Sequence, residues 1–341
     1  MILQCRNEND TYTNSSYYCG MLVYAGIDEA GYGPMFGPLC VGAAVFVLEE
    51  YDPDVGPPDL WSLLRKIVCK SKKDRHKRIA VNDSKKLKSG STPQDLFALE
   101  RGVFAFINVM KNTESILNDN DFFNAVGATV SDELWLQSTT NLPVAVDPKE
   151  LPINSARLNR ALEDAKIKCD WVTCESVDAR MYNERTSVES KAALNFSMAM
   201  KLVHEIMERH PNNHPRIMID RHGGRSHYRN DLQLCWPDAE IQILCENNEM
   251  SRYRLCFNSS FVTITFASKS DEKHLPVALA SMIAKYSREL MMIRLNRFFR
   301  NEIPELKPTA GYVKDGRRFL KDIEPFLANK GINQELLVRS S

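Results

Sequence analysis

No run of about 18 uninterrupted apolar residues occurs in the 341-residue chain, which excludes a membrane-spanning helix. The nine cysteines are odd in number and include no Cys-x-x-Cys pair, so neither a disulfide framework nor a zinc module follows. Reduced, mostly buried thiols fit a cytoplasmic protein better. Net charge is also missing: Lys+Arg and Asp+Glu both total 44, so no global field draws the molecule to a polyanion. With 15 Gly and 16 Pro, the composition is neither collagenous nor low-complexity. The first twenty residues lack the basic and apolar regions of a secretory signal. They read as a disordered lead-in over 1–21, with Met21 a candidate start. Finally, there is no Ser-His-Asp order, GxSxG, HExxH or P-loop, so hydrolases that use a side-chain nucleophile have no support.

What remains, 43% hydrophobic, 9% aromatic and 26% charged, is the composition of a globular protein. The length suits one large domain with an insertion, or two modest ones. Zero net charge hides a strong asymmetry. Residues 65–88 hold eleven Lys/Arg against two Asp, a local excess of nine positive charges that points to a polyanion partner.

Short β-type runs at 22–27 (LVYAGI) and 39–48 (LCVGAAVFVL) flank a Gly/Pro-rich loop at 31–38 and predict a hairpin-like pair. Further strands are expected at 102–110, 216–219, 240–244 and 261–266. Helices are expected at 155–166, at 191–210, which ends before Pro211, and at 276–299, which admits Pro276 in its first turn. Strands alternating with helices indicate an α/β fold. The stretch 111–190 reads as an insertion or cap.

Carboxylates stand at element ends. Asp28 and Glu29 close the first strand, Asp220 closes a central one, and Glu289 lies in the last long helix. Burying an unpaired carboxylate is expensive, so acids placed after apolar strands are poorly explained by core packing. A cluster of them is best explained by hard divalent cations, which prefer oxygen ligands and offset the mutual repulsion. Each acid taken alone is better explained as a helix cap or a surface ion pair; the metal reading rests on their recurring together in a pattern.

The pattern around these acids resembles the type 2 ribonucleases H, the HII and HIII group. GIDEAGYGPMFGPL (26–39) is similar to the family's strand that ends in Asp-Glu and enters a Gly-x-Gly loop. NDSKKLK (82–88), IMIDRHGG (217–224), LPVALASMIAKYSREL (275–290) and, more loosely, KPTAGYVKDGRRFL (307–320) follow in the family's order. These segments cover roughly half the chain. The resemblance implies an α/β, ribonuclease H-like fold: a mixed, mainly five-stranded sheet flanked by helices, with a helical C-terminal part and an insertion at about 111–190. One catalytic domain would span 22–341.

It also implies an endoribonuclease cutting the RNA strand of RNA–DNA hybrids, or ribonucleotides embedded in duplex DNA. Asp28, Glu29, Asp220 and Glu289 would hold two divalent ions, Mg²⁺ or Mn²⁺, and leave 5′-phosphate and 3′-hydroxyl ends. Gly31 and Gly33 would bring backbone amides to the ribose 2′-hydroxyl, the group that separates RNA from DNA. Ser84, Lys85 and Lys86 would touch phosphates, and Tyr312 would stack on a sugar or base. Ser281, Lys285 and Glu289, spaced i, i+4, i+8, share one helix face. This places Lys285 along the groove, and Arg288 would orient Glu289 or hold a phosphate. The expected partner is nucleic acid, with no membrane contact, and the expected state a monomer.

Two departures stand out. The loop reads Gly-Tyr-Gly where HII enzymes usually have Gly-Arg-Gly, so Tyr32 replaces a cation. Glutamate at 289 and Phe-Gly-Pro at 36–38 resemble the HIII branch instead. Rival readings are a non-catalytic nucleic-acid-binding protein on this fold, and a related nuclease acting on another structured substrate. His222 is a candidate for proton transfer, though a surface role fits it better; His204 and His210 look structural.

Overall fold

The computed structural model describes residues 20–51, 56–74, 78–88, 90, 92–111, 116–221, 223, 225–258 and 260–340. The lead-in over 1–19 and the candidate His222 lie outside these residues. The chain opens with β1 (Leu22–Ala30) and β2 (Leu39–Leu48), an antiparallel pair in register from Leu22↔Leu48 to Ala30↔Cys40. An arm follows: α1 (Leu60–Leu63), the two-residue parallel strands β3 (Val68–Cys69) and β4 (Ile79–Ala80), and α2 (Ser84–Leu87). Then come α3 (Phe97–Lys111), α4 (Asp119–Val126), α5 (Glu150–Asp164), β5 (Ile167–Val177), α6 (Ala179–Thr186) and α7 (Lys191–Arg209). The remainder is β6 (Arg216–Asp220), α8 (Arg229–Cys235), β7 (Glu240–Glu246), β8 (Met250–Cys256), β9 (Phe261–Ala267), α9 (Ser270–Lys273), α10 (Leu275–Glu302) and α11 (Val313–Lys330).

Seven strands form one sheet in the order β5-β2-β1-β6-β9-β8-β7. The first five make the mixed core that was expected, with β1, β6 and β9 parallel to one another. β8 and β7 extend it antiparallel. β8 escaped the sequence reading because its buried residues alternate with Arg252 and Arg254.

Both faces of the central strands are buried. Along β1, Leu22 and Tyr24 join a core with α3 and α10, while Val23, Ala25 and Ile27 join one with α7, as the two-residue period of a strand requires. Gly26 and Gly42 lie on the α10 side, where the helix backbone crosses the sheet. A Cβ at Gly26 would stand 2.1 Å from Val277 N, and one at Gly42 2.3 Å from Ala280 O. These two glycines set how closely the helix can approach.

Two expectations need correction. Residues 102–110 belong to α3, not to a strand. Leu99, Val103, Phe104, Ala105, Phe106 and Ile107 are all buried, so the helix reads as a continuous apolar run, and such a run does not separate a buried helix from a buried strand. Part of the stretch 111–190 is sheet rather than cap, because β5 pairs along the whole of β2. Its interleaved Lys168 and Asp170 disguised it.

The segment before β5 is held by buried charge. Glu100 accepts from the backbone N–H groups of Val144, Ala145 and Val146 at 2.7–2.8 Å and from the Tyr286 hydroxyl. Arg294 grips Asp119 through Nε at 2.7 Å and through Nη2. Among the described residues no helix is long and apolar enough to cross a membrane.

Gly42→Ala should destabilise the protein by at least about 2 kcal/mol, because the backbone of α10 cannot yield as a side chain can. A thermal or denaturant unfolding curve against the parent checks this.

Candidate active site

The carboxyl ends of three adjacent parallel strands lie side by side. β1 pairs with β6 up to Ile27↔Ile219, and β6 pairs with β9 up to Asp220↔Ala267. Asp28, Glu29 and Asp220 therefore emerge at one edge, as the sequence predicted.

Alternation along β1 then gives the neighbouring acids different supports. Asp28 shares its side of the strand with Gly26 and takes a hydrogen bond from Ser281 on α10. Glu29 faces α7 and is hydrogen-bonded by Asn195, a buried residue the sequence reading passed over. The Glu29 N–H also donates to Asp28 Oδ1 at 2.8 Å.

Asp220 Oδ1 accepts from the Ser270 N–H at 2.8 Å. That contact depends on Lys269, which takes a left-handed conformation (φ 54°) between β9 and α9. The next residue, Asp271, is a further acid that the sequence reading missed. Its signal was weak: three polar residues, Ser268, Lys269 and Ser270, separate it from the end of β9.

The electrostatics bind these four acids into one group. Burial, then Glu29 and Asp220, push the Asp28 carboxyl well above its usual range, against the Ser281 hydrogen bond. Burial and Asp220 raise Glu29 to about 7, against the pull of Lys85 and Asn195. Asp220 is raised by burial, partly opposed by the Ser270 amide and Lys85. Burial, Asp83 and Asp220 bring Asp271 to about 6.

Glu289 stands apart. Its carboxylate meets Lys285 Nζ at 2.7 Å, Lys88 Nζ at 3.2 Å and Arg288 Nη1 at 3.7 Å. Burial pushes it up, but these cations outweigh burial and hold it below the ordinary glutamate value. The acid expected as the fourth member of the cluster is already neutralised.

The other expected binding residues divide between buried and open positions. Gly31 has φ +87°, and a Cβ there would meet Pro38 O at 2.4 Å, so the turn requires glycine. Around Gly33 there is open space. The Tyr32 ring lies under Lys191 Nζ at 4.3 Å. Ser84 is buried, and its Oγ is hydrogen-bonded with Ser281 Oγ at 3.1 Å, so it docks α2 onto α10 instead of facing solvent. Lys85 is exposed and acts on Glu29 and Asp220, whereas Lys86 pairs with Glu272 at 2.9 Å. Arg288 is fully buried, donating Nη2 to Phe36 O and Ala310 O at 3.0 Å each, which removes it from phosphate contact. Tyr312 is half exposed.

No three His, Cys, Asp or Glu side chains among the described residues converge into a ready-made metal cage. What fits a hard divalent cation is the donor chemistry. Four carboxylates whose pKa values burial and neighbouring acids raise, with Lys85 as a facing cation, favour an oxygen-seeking ion.

Residues 156–321, a little under half of the chain, match the family model for ribonuclease HII. The match takes in Asp220, Asp271 and Glu289 and begins after Asp28 and Glu29. The ribonuclease HII of Archaeoglobus fulgidus, solved with PCNA, aligns at 15% identity over 93% of this chain and 94% of that one, with a TM-score of 0.39. Ribonuclease H2 from Pyrococcus horikoshii OT3 aligns at 17% identity over 93% and 92%, with a TM-score of 0.39. Bst-RNase HIII in complex with Mn²⁺ aligns at 13% identity over 94% and 67%, with a TM-score of 0.38. No curated protein matches the chain. The fold is ribonuclease H-like, and the family match supports a ribonuclease H-type protein in general. The match supports reading the chain as a divergent relative of the type 2 ribonucleases H over those residues.

The raised acids carry a signed pH prediction for the metal-free protein. Glu29 has an ordinary value of 4.5 and a folded value of about 7, so its neutral form suits the folded site better. Its contribution favours folding below pH 4.5 and is lost as pH rises to about 7. The change is about 3 kcal/mol at most. Melting temperature in EDTA should fall across that window, and Glu29→Gln should flatten the slope.

Proposed function

We propose that this protein is a metal-dependent endoribonuclease acting on the RNA strand of RNA–DNA duplexes, or on ribonucleotides embedded in duplex DNA, and leaving 5′-phosphate and 3′-hydroxyl ends. The observation that carries the reading is the convergence of Asp28, Glu29 and Asp220 at the ends of β1 and β6, with Asp271 of α9 within electrostatic reach of Asp220, burial and neighbouring acids raising all four. Carboxylates so placed repel a phosphodiester unless cations intervene.

In this reading Asp28, Glu29, Asp220 and Asp271 hold two divalent ions, Mg²⁺ or Mn²⁺. Bound there, such ions lower the pKa of a water and stabilise the leaving oxygen. Ser281 and Asn195 orient Asp28 and Glu29. Lys85, the exposed cation facing the acids, meets the phosphate beside the cut, and Lys86 reaches a neighbouring one by leaving Glu272. The backbone of Gly31–Gly33 reads the 2′-hydroxyl, and half-exposed Tyr312 stacks on a sugar or base. Glu289 keeps Lys88, Lys285 and Arg288 in place, so Asp271 takes the ligand role that the resemblance implied for Glu289.

Cleavage of a labelled DNA–RNA–DNA strand paired with DNA tests this, beside an all-RNA hybrid and an all-DNA duplex, with Mg²⁺, Mn²⁺ or EDTA. Cutting should occur only at ribonucleotides and stop in EDTA. Asp220→Asn and Asp271→Asn should each lose about a hundredfold or more, the scale of removing one electrostatic element of a transition-state site. Both should keep or gain stability. Glu289→Gln should retain turnover within about tenfold yet lose about 3 kcal/mol of stability, because three cations are left uncompensated. The reverse pattern would return the fourth ligand to Glu289. Tight hybrid binding with no cutting under either metal would identify a non-catalytic binder.

A further inference from the structure

Three distant parts of the chain converge on the loop 31–38. From α10, Arg288 holds the Phe36 carbonyl. From the turn before α11, the Gly311 carbonyl accepts the Met35 and Phe36 amides at 2.8 and 3.2 Å. The third is a strap at 333–340. Phe36 and Val338 form an antiparallel bridge, and the Arg339 N–H donates to Met35 O at 2.9 Å. Arg339 Nη2 then donates to Gly31 O at 2.6 Å and to Pro34 O. On its far side the strap is tied to α6. Asn183 Nδ2 donates to Glu335 O and Val338 O at 2.7 and 2.8 Å, and its Oδ1 accepts the Ser340 N–H at 2.6 Å.

Arg339 is 4% exposed, and its guanidinium sits 4.7 Å from the Tyr182 ring. Its Nε and Nη1 have no hydrogen-bond partner, and no carboxylate pairs with it among the described residues. Burying a guanidinium on these terms is costly, and packing alone would favour an apolar side chain. What this one does is hold two carbonyls of a single loop. The Gly31–Tyr32 peptide is trans, so its C=O and N–H point in opposite directions. With Gly31 O turned in to Arg339, the Tyr32 N–H is turned away from it, on a stretch of loop with open space at Gly33.

We propose that Arg339 is a positioning residue for ribonucleotide recognition: by holding the Gly31 and Pro34 carbonyls it presents the loop's amides to the sugar at the cut site. This rests on the reading of that loop given under Proposed function.

The test uses full-length Arg339→Met and Arg339→Lys, with Asn183→Ala to loosen the strap without touching the loop. Three quantities are read: amide hydrogen exchange over 31–38, the binding ratio of a one-ribonucleotide duplex to the same all-DNA duplex, and kcat with KM. Arg339→Met should speed exchange over 31–38, bring the binding ratio toward one, and lower kcat by about tenfold or more, with KM changed less. Arg339→Lys should recover part of this, and Asn183→Ala should shift the same way by less. An unchanged ratio and unchanged loop exchange in a folded Arg339→Met would overturn the proposal. So would a loss of kcat that tracks melting temperature while the ratio stays constant. Should the parent cut no substrate, the proposed activity fails by itself, and loop exchange with the binding ratio still decides the role of Arg339.

Discussion

One contact constrains everything else: the crossing of α10 over the sheet at Gly26 and Gly42, where helix backbone nearly touches strand backbone. At that separation every turn of the helix can reach a different feature. Ser281 meets Asp28, Tyr286 reaches Glu100, Arg288 reaches the Phe36 carbonyl, and Arg294 reaches Asp119. The buried ends of these contacts lie on four separate segments of chain. A shift of the helix by the width of a methyl group would strain all of them together, so two glycines fix the geometry of a site to which they contribute no functional group.

The same helix separates the acids into two electrostatic classes. Asp28, Glu29 and Asp220 share a strand-end edge, Asp271 of α9 lies within electrostatic reach of it, and burial and neighbouring acids raise all four, so in the absence of a cation their ionisation works against folding. Glu289, two turns beyond Ser281, is surrounded by Lys88, Lys285 and Arg288 and is stabilised as an anion. A carboxylate already neutralised gains little from a divalent ion, whereas four that repel one another gain much. In the proposed reading, which acids recruit metal is therefore decided by neighbours, and a motif read along the chain does not display them.

That distinction marks the limit of what was legible. The strand pair around 31–38, the parallel strand ending in Asp220 and the long helix near 276–299 followed from apolar periodicity and flanking Gly and Pro. Three of the acids emerged together because strand ends are predictable places. The misreadings have physical causes. α3 is buried all round, so its sequence lacks the polar face that declares a helix. β5 and β8 carry charges on their partly exposed positions. Asp271 sits in a run of polar residues whose proximity to Asp220 depends on the pairing of β6 with β9, a contact between strands some forty residues apart. Arg339 is further still from Gly31 in sequence, and nothing local announces it.

The Gly-Tyr-Gly loop looked deficient in charge when read as a sequence, because tyrosine stands where a cation was expected. In the folded chain cations are supplied from outside the loop. Lys191 lies over the Tyr32 ring, while Arg288 and Arg339 hold loop carbonyls from within the protein. The loop is thus polarised across its own backbone. Carbonyls at Gly31, Pro34 and Phe36 face guanidinium groups, and the amide of Tyr32 faces the other way. A positive environment built by packing has one property that a loop arginine would lack: its charges are held by partners remote in sequence and cannot swing away from the backbone they orient. The replacement at position 32 need not weaken the loop's positive character, since that character resides in residues 159 to 307 positions further along the chain.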